Sequence, residues 1–152
     1  METPFTLTSP AFANGEPIPA QYTCDGLGHS PALVWSEAPA GTKSFVLLVH
    51  DPDAPAKDWL HWLVINIPPT TTSVAENTTP HGGTVLLNDS NETTYDGLCP
   101  PNGRHRYYFI IYALDIAELA ATTRPAVETA MAEHTLARGQ LLGLYQRPEH
   151  SV

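Results

Sequence analysis

Two histidines and an acidic, proline-rich turn stand beside the ends of apolar runs in this sequence. The turn Asp51–Pro55 (DPDAP) directly follows one apolar run, and His61 begins the next one. His105 and Tyr107 stand at the start of a third run. If neighbouring runs form antiparallel strands, these side chains meet at one end of a sheet. Imidazole N–H groups bind phosphate oxygens, more strongly when protonated, and a carboxylate can orient an imidazole. The sequence therefore predicts an anion-binding pocket at this end.

The loop Gly97–Pro101 (GLCPP) precedes the third run and extends the predicted pocket. The backbone at Gly97 and Cys99 can approach an anion closely and offer N–H groups. Cys24 and Cys99 are the only cysteines. Two isolated thiols in a reducing compartment are most often structural, and the sequence leaves open whether these two form a disulfide.

Three near-continuous apolar runs have the length and the β-branched or aromatic content of strands that are buried on both faces. They are Phe45–Val49, Trp62–Ile67 and Tyr107–Leu114. Weaker strand candidates are Phe5–Thr8, Ala32–Trp35, Thr84–Leu87 and Leu141–Tyr145. Because most connections between them are short, the sequence predicts a mainly β, two-sheet antiparallel sandwich.

Helical signals are confined to the C-terminal part of the chain. Asp115 followed by Glu118 has the spacing of a capping pair, and Pro125 suits a first helical turn. Gly139 fits a C-terminal stop. Residues at helical spacing stand between them: Val127, Ala130, Met131 and His134. The sequence therefore predicts one or two peripheral C-terminal helices.

Length and charge narrow the function classes. The 152 residues suit one domain over residues 1–152. Seven basic residues against sixteen acidic ones give a formal charge of −9. A field of that sign repels the phosphates of nucleic acids and of anionic membranes, so no nucleic-acid partner is expected. Any anionic ligand must be held by a few local donors.

Further patterns argue against secretion, membrane insertion, metal binding and catalysis. The N-terminus lacks a basic region followed by an apolar one, and the apolar runs are too short to span a bilayer, so a cytoplasmic protein is expected. Two histidines and a carboxylate resemble a facial metal triad, but His-x-His and His-Glu-x-x-His spacings are absent. Neither Gly-x-Ser-x-Gly nor a glycine-rich phosphate loop occurs, and Cys99 is the one candidate nucleophile. We expect no metal, no cofactor and no enzymatic activity.

Six segments of the sequence resemble the phosphatidylethanolamine-binding protein family, also known as the Raf kinase inhibitor protein family, in its bacterial and archaeal branch. They run in the family's order and cover nearly the whole chain. The segments are YTCDG at Tyr22–Gly26, SPALVW at Ser30–Trp35, GTKSF at Gly41–Phe45, DPDAP at Asp51–Pro55, HWLVINIP at His61–Pro68 and YDGLCPPNGRHRYYFIIYALD at Tyr95–Asp115.

The resemblance implies a two-sheet β fold with a small pocket for phosphate and phospho-headgroups. Carried over by position, the ligand-binding residues are Asp51, Asp53, His61, Gly97, Cys99, Pro100, His105 and Tyr107. Trp59, Tyr95 and Leu98 are expected at the pocket margin. Leu98 stands where the branch often has proline, so we expect a more relaxed loop and an altered pocket mouth.

The family also contains inhibitors of kinases and of serine proteases. The resemblance therefore implies an alternative function, a protein-interaction regulator that acts on a kinase or protease partner. It also implies that a homodimer can form. The sequence does not decide between regulation and plain ligand binding.

Overall fold

A computed structural model describes residues 5–148 of the chain. The long strands are Ser44–Asp51 (β4), Trp59–Ile67 (β5), His105–Leu114 (β8) and Thr135–Tyr145 (β9). The short strands are Leu7–Thr8 (β1), Glu16–Pro17 (β2), Leu33–Trp35 (β3), Ser73–Val74 (β6) and Thr84–Val85 (β7). Within these residues there is one α-helix, Arg124–Met131 (α1), and a single 3₁₀ turn at Ala20–Tyr22.

The strands form two sheets, as the sequence predicted. The large sheet has the order β2-β9-β8-β4-β5-β7, and the small one has the order β1-β3-β6. Neighbouring strands are antiparallel apart from β2 and β9, which run parallel. This short pair lies at the sheet edge, where Pro17 removes no hydrogen bond that an interior strand would need.

The three predicted apolar runs form the centre of the large sheet as β4, β5 and β8, and they are buried on both faces. On the inner face Phe45 packs between Phe5 and Trp35, with ring centroids 5.9 Å apart in both pairs. On the outer face α1 covers part of the sheet with Val127 and Met131. Burial on both faces explains why these strands lack polar alternation.

The helix prediction was correct for α1 and wrong on either side of it. The Thr123 side chain caps α1 by accepting from the Ala126 N–H at 3.3 Å, and Pro125 lies in the first turn. Asp115 opens no helix, because its backbone N–H still donates to the carbonyl of His134, which holds it beside the end of β8. The Asp115 carboxylate contacts the His134 Nδ1 at 2.8 Å, so the expected capping pair with Glu118 does not form.

Gly139 lies inside β9 and does not end a helix, which corrects the predicted stop. A Cβ atom at this position would lie 3.0 Å from backbone atoms of Phe5, Thr6 and Leu7. The glycine therefore permits the segment that leads into β1 to cross β9 closely.

The α1 helix spans eight residues. In the part of the chain that the structure describes, no helix has the length and apolar character needed to cross a membrane.

Candidate functional site

A cavity of about 370 Å³ opens at the end of the large sheet where β4 ends and β5 and β8 begin. The antiparallel register sets Asp51 opposite Trp59 and His50 opposite Tyr108, which brings these strand ends together as the sequence predicted. The residues that line the cavity are Asp51, Ala54, Pro55, Ala56, Trp59, His61, Ser90, Asp96, Gly97, Cys99, Pro101 and Tyr107.

A β-bulge in β5 aims His61 at this cavity. Val49 pairs with Trp62 and His50 pairs with Leu60, so His61 is the extra residue of the bulge. Leu60 consequently packs on the outer face and Trp62 in the inner core, although they are two residues apart. Bulges commonly redirect a side chain next to a functional site. Here the bulge places His61 on the inner face beside Tyr107, with ring centroids 5.5 Å apart.

Asp51 is held in a fixed orientation from two directions. One carboxylate oxygen accepts from the backbone N–H of Asp53 at 2.8 Å. The other lies 2.7 Å from Nδ1 of His105, and both of these side chains are buried. Because a carboxylate only accepts here, the bonded Nδ1 carries the proton. His105 thus stands behind Asp51 as its partner and does not line the cavity.

His61 lines the cavity as the tautomer that carries its proton on Nδ1 and a lone pair on Nε2. Its Nδ1 lies 2.9 Å from the carbonyl oxygen of Asp96, an acceptor, so Nδ1 carries the proton. Burial lowers the pKa of His61, and the carboxylates of Asp96, Asp51 and Asp89 oppose that effect in part. At neutral pH the ring is therefore uncharged, and its Nε2 accepts hydrogen bonds. Donation from Nε2 to an anion requires protonation of the ring.

Tyr107 contributes a buried donor to the cavity wall. The side chain is fully buried, and its hydroxyl faces the Asp51 carboxylate in a weak contact that lacks full hydrogen-bond geometry. The ring lies against the edge of His61 and stacks on His105 at a centroid distance of 6.3 Å. Burial, followed by the charge of Asp51 and a side-chain hydrogen bond to it, raises the pKa of Tyr107 well above its usual value. The phenol stays protonated and can donate.

Asp96 and Ser90 are cavity residues that the sequence reasoning missed. The Asp96 carboxylate accepts from the Trp59 Nε1–H at 3.3 Å and from the Ser90 hydroxyl at 2.6 Å. Its backbone N–H donates to the carbonyl of His61 at 3.0 Å, which ties it to β5. The sequence did offer one signal for Asp96, since it is the polar residue directly before Gly97, which was assigned to the pocket.

Cys99 forms a disulfide with Cys24 across 75 residues of sequence, with the Cα atoms 5.3 Å apart. This settles the pairing that the sequence left open, and no free thiol remains at the cavity. Beside the disulfide, the Cys24 N–H donates to the Leu98 carbonyl at 3.0 Å. Gly97 passes so near this segment that a Cβ on it would lie 3.2 Å from the Cα of Gly28.

The structure brings some of the expected site residues onto the cavity wall and places others elsewhere. Those on the wall are Asp51, His61, Gly97, Cys99 and Tyr107, with Trp59 as expected at the margin. Those away from it are Asp53, Pro100 and His105, together with Tyr95 and Leu98 from the expected margin.

Two of these residues belong to the core. Leu98 is fully buried, because its own backbone N–H donates to Tyr22 and its carbonyl accepts from Cys24, which turns the side chain inward. The expectation that Leu98 shapes the pocket mouth is therefore wrong. Tyr95 packs edge-on against Trp62, and its hydroxyl donates to the Tyr22 carbonyl at 2.9 Å.

Comparison with known proteins finds a matching family model and relatives that align with nearly the whole chain. The family model described as phosphatidylethanolamine-binding protein matches residues 8–146. A UPF0098 protein of Methanothermobacter thermautotrophicus is 44% identical over 149 residues, covering 93% of this chain and 98% of the relative. A UPF0098 protein of Chlamydia trachomatis is 40% identical over 152 residues, covering 93% and 98%.

Solved structures show the same fold. A crystal structure of a putative phosphatidylethanolamine-binding protein homologue from Chlamydia trachomatis has a TM-score of 0.91 and 38% identity, covering 97% of this chain and all of that one. The crystal structure of Escherichia coli YbcL, described as a new member of the mammalian family, has a TM-score of 0.89 and 30% identity, covering 96% and 100%. The chain belongs to the phosphatidylethanolamine-binding protein family.

Proposed function

We propose that the cavity binds a small anionic group of the phosphate or phospho-headgroup type. The observation that carries this proposal is the Tyr107 hydroxyl on the cavity wall, which faces the Asp51 carboxylate without a well-aligned hydrogen bond to it. Buried polar groups are nearly always hydrogen-bonded, and a poorly aligned contact leaves part of that free energy unrealised. A ligand oxygen in the cavity would give this donor a better-aligned partner.

The shape of the cavity supports a ligand of headgroup size. Its volume of about 370 Å³ lies at the lower end of the range for small-molecule pockets. The turn after β4 contributes three small, largely apolar side chains to one wall, from Ala54, Pro55 and Ala56. The description of the matching family names phosphatidylethanolamine, whose headgroup contains a phosphate, which agrees with this ligand class.

Binding accounts for the site better than catalysis does. Cys99 was the candidate nucleophile, and its sulfur is bonded to that of Cys24. A thiolate is needed for nucleophilic attack, and a disulfide supplies none. The paired Asp51 and His105 then serve to hold the shape and charge of the pocket.

The test is thermal unfolding with inorganic phosphate or phosphoethanolamine, on the wild type and on Tyr107→Phe. We expect anion-dependent stabilisation of the wild type. Without anion, Tyr107→Phe should change the stability little, because the hydroxyl that it removes makes only a poorly aligned contact with Asp51. Its anion affinity should fall by about tenfold or more, the value of one hydrogen bond to a charged group.

Tyr112→Phe is the matched control, since Tyr112 lies on the same strand but packs with the outer-face core. It should leave the anion response unchanged. If millimolar anions fail to stabilise the wild type, the cavity is not an anion site. If Tyr107→Phe keeps the full response, the anion binds elsewhere.

A further inference from the structure

The neutral ring of His61 uses its one proton on the wall of the cavity and not in its interior. Its Nδ1 donates to the Asp96 carbonyl at 2.9 Å, and the Asp96 backbone N–H donates in return to the His61 carbonyl at 3.0 Å. The side chain is buried, and its ring lies against Tyr107 at a centroid distance of 5.5 Å. A proton moved to Nε2 would leave a bare Nδ1 against a carbonyl oxygen, so these contacts fix the tautomer.

The other side-chain donors of the wall are directed at carboxylates. Trp59 and Ser90 donate to the Asp96 carboxylate. The protonated hydroxyl of Tyr107 faces Asp51. Among the described residues that line the cavity there is no lysine or arginine. An anion beside the neutral imidazole therefore meets a lone pair, unless the ring gains a second proton.

The carboxylates around His61 favour that second proton. The Asp96 carboxylate lies 3.9 Å from Nδ1, and Asp51 at the end of β4 and Asp89 after β7 add negative charge. His105 lies behind, with its Nδ1 2.7 Å from Asp51. Burial outweighs these charges and lowers the pKa of His61, so the ring is neutral in the unliganded protein at neutral pH. A negative charge next to Nε2 would act in the same direction as the carboxylates.

We propose that an anion enters this cavity together with a proton, which His61 takes from the solvent onto Nε2, so that anion affinity rises as the pH falls. This inference rests on the anion-binding function proposed above. In the complex the imidazolium would donate from Nδ1 to the Asp96 carbonyl and from Nε2 to an oxygen of the ligand, as charge-assisted bonds. Phosphate monoesters and diesters both offer such an oxygen, because the proton comes from the solvent and not from the ligand.

The size and sign of the effect follow from linkage. The factor by which the proton strengthens anion binding equals the factor by which the anion strengthens proton binding to His61. One unit of rise in the pKa of His61 corresponds to about a tenfold gain in affinity. Since the unliganded ring titrates below its usual value of 6.5, affinity should rise by about tenfold as the pH falls from about 8 to about 6.

The test is calorimetric titration with dimethyl phosphate at about pH 7, in buffers of different ionisation enthalpy. This diester exchanges no proton near neutral pH, so any proton taken up on binding is bound by the protein. The dependence of the observed heat on the buffer should give between about one half and one proton per ligand. Binding without proton uptake would overturn the coupling and leave the proposed anion site intact. If dimethyl phosphate, inorganic phosphate and phosphoethanolamine all fail to bind, the proposed function is overturned.

His61→Gln tests which group takes the proton. Glutamine keeps an amide donor but does not titrate, so the uptake should vanish and the affinity should no longer depend on pH between about 6 and 8. Phosphoethanolamine is the second ligand, and it decides the matter if the diester binds too weakly. The difference between the wild type and His61→Gln cancels the protons that this ligand itself exchanges. His50→Gln is the matched control, because His50 contacts Asp58 on the outer face at 2.8 Å, and it should keep the full uptake.

The imidazole nitrogen chemical shifts of His61 give a readout on the wild type that needs no variant. At about pH 7 the Nε2 signal should move from the unprotonated towards the protonated value when either ligand is added. Proton uptake that survives in His61→Gln would contradict the proposal. So would a His61 signal that stays at the unprotonated value in the saturated complex.

Discussion

At the scale of single residues, hydrogen-bond partners separate the side chains that face the cavity from those that fix its walls. The Asp53 carboxylate accepts from the backbone N–H, Nε and Nη2 of Arg106, at 2.8, 3.0 and 2.8 Å. Its backbone N–H donates to Asp51. Asp53 therefore fastens the turn after β4 to the start of β8, and it presents no oxygen to the cavity.

The first prediction concerns the pH dependence of this contact. Hydrogen bonds from Arg106 lower the pKa of Asp53 to about 2. Because the folded pKa lies below the unfolded value of about 3.9, the contact stabilises the protein fully above about pH 5 and loses its effect as the pH falls through 2. Asp53→Asn should lower the free energy of unfolding by about 0.5–1 kcal/mol at neutral pH, since the pair is partly exposed.

Urea unfolding of the wild type and of Asp53→Asn over a pH series measures this difference. The two curves should converge towards the acid end of the series. Arg106→Gln removes the other partner and should show the same convergence. A gap between the wild type and Asp53→Asn that stays constant down to pH of about 2 would mean that the carboxylate charge is not the stabilising feature.

At the scale of elements, the predictable part of the fold follows from burial. Runs such as Phe45–Val49 are apolar throughout because β4 has packed neighbours on both faces, and that pattern is visible in the sequence. The same reasoning brought Asp51, His61 and His105 to one end of the sheet. It also predicted α1, whose proline and apolar spacing are local signals.

What the sequence could not predict depends on contacts between distant segments. The bulge at His61 shows only in how β5 pairs with β4. The two-residue strands have no periodicity of their own and exist because longer neighbours pair with them. Gly139 was mistaken for a helix stop because the chain that crosses it, at Phe5–Leu7, is more than 130 residues away in sequence. The role of Asp96 likewise depends on partners from two other segments.

The second prediction concerns the disulfide, which ties the segment just after the 3₁₀ turn to the loop that lines the cavity. Cys99 is on the cavity wall, while Cys24 is not. A crosslink that closes a loop of 75 residues stabilises a domain by about 2–4 kcal/mol. We therefore expect Cys24→Ser to lower the free energy of unfolding by about that amount, and to weaken phosphate binding because the loop from Gly97 loses its anchor.

Urea unfolding and phosphate titration, each with and without a reductant, measure both effects. The reductant should reproduce the Cys24→Ser phenotype in the wild type. The double variant Cys24→Ser, Cys99→Ser is the control, and it should not respond to the reductant at all. Unchanged phosphate affinity in Cys24→Ser would show that backbone contacts alone hold the loop.

At the scale of the whole molecule, the distribution of charge repels the anionic ligand that we propose. The formal charge is −9, and two of the carboxylates that contribute to it lie on the cavity wall. Three of the seven basic residues instead lie around a groove on the outer face of the large sheet, at Arg106, Arg124 and Arg138. The long-range field therefore repels an anion that the local donors would bind.

This opposition predicts an unusual salt dependence of anion binding. Dissolved salt screens charges beyond about 10 Å at 0.1 M, so it weakens the repulsion from the surface more than the contacts inside a cavity. Sites built from lysine and arginine lose anion affinity as salt rises. Here the affinity for phosphate should stay constant or increase by about twofold between low and physiological ionic strength.

Calorimetric titration of phosphate in increasing potassium chloride, at fixed pH, measures this dependence. Potassium gluconate replaces the chloride in a second series, which separates screening from competition by a small anion. A fall in affinity in chloride alone would indicate that chloride occupies the cavity. A steep fall in both salts would show attraction by net positive charge, which the wall of Asp51, Asp96 and neutral His61 does not supply.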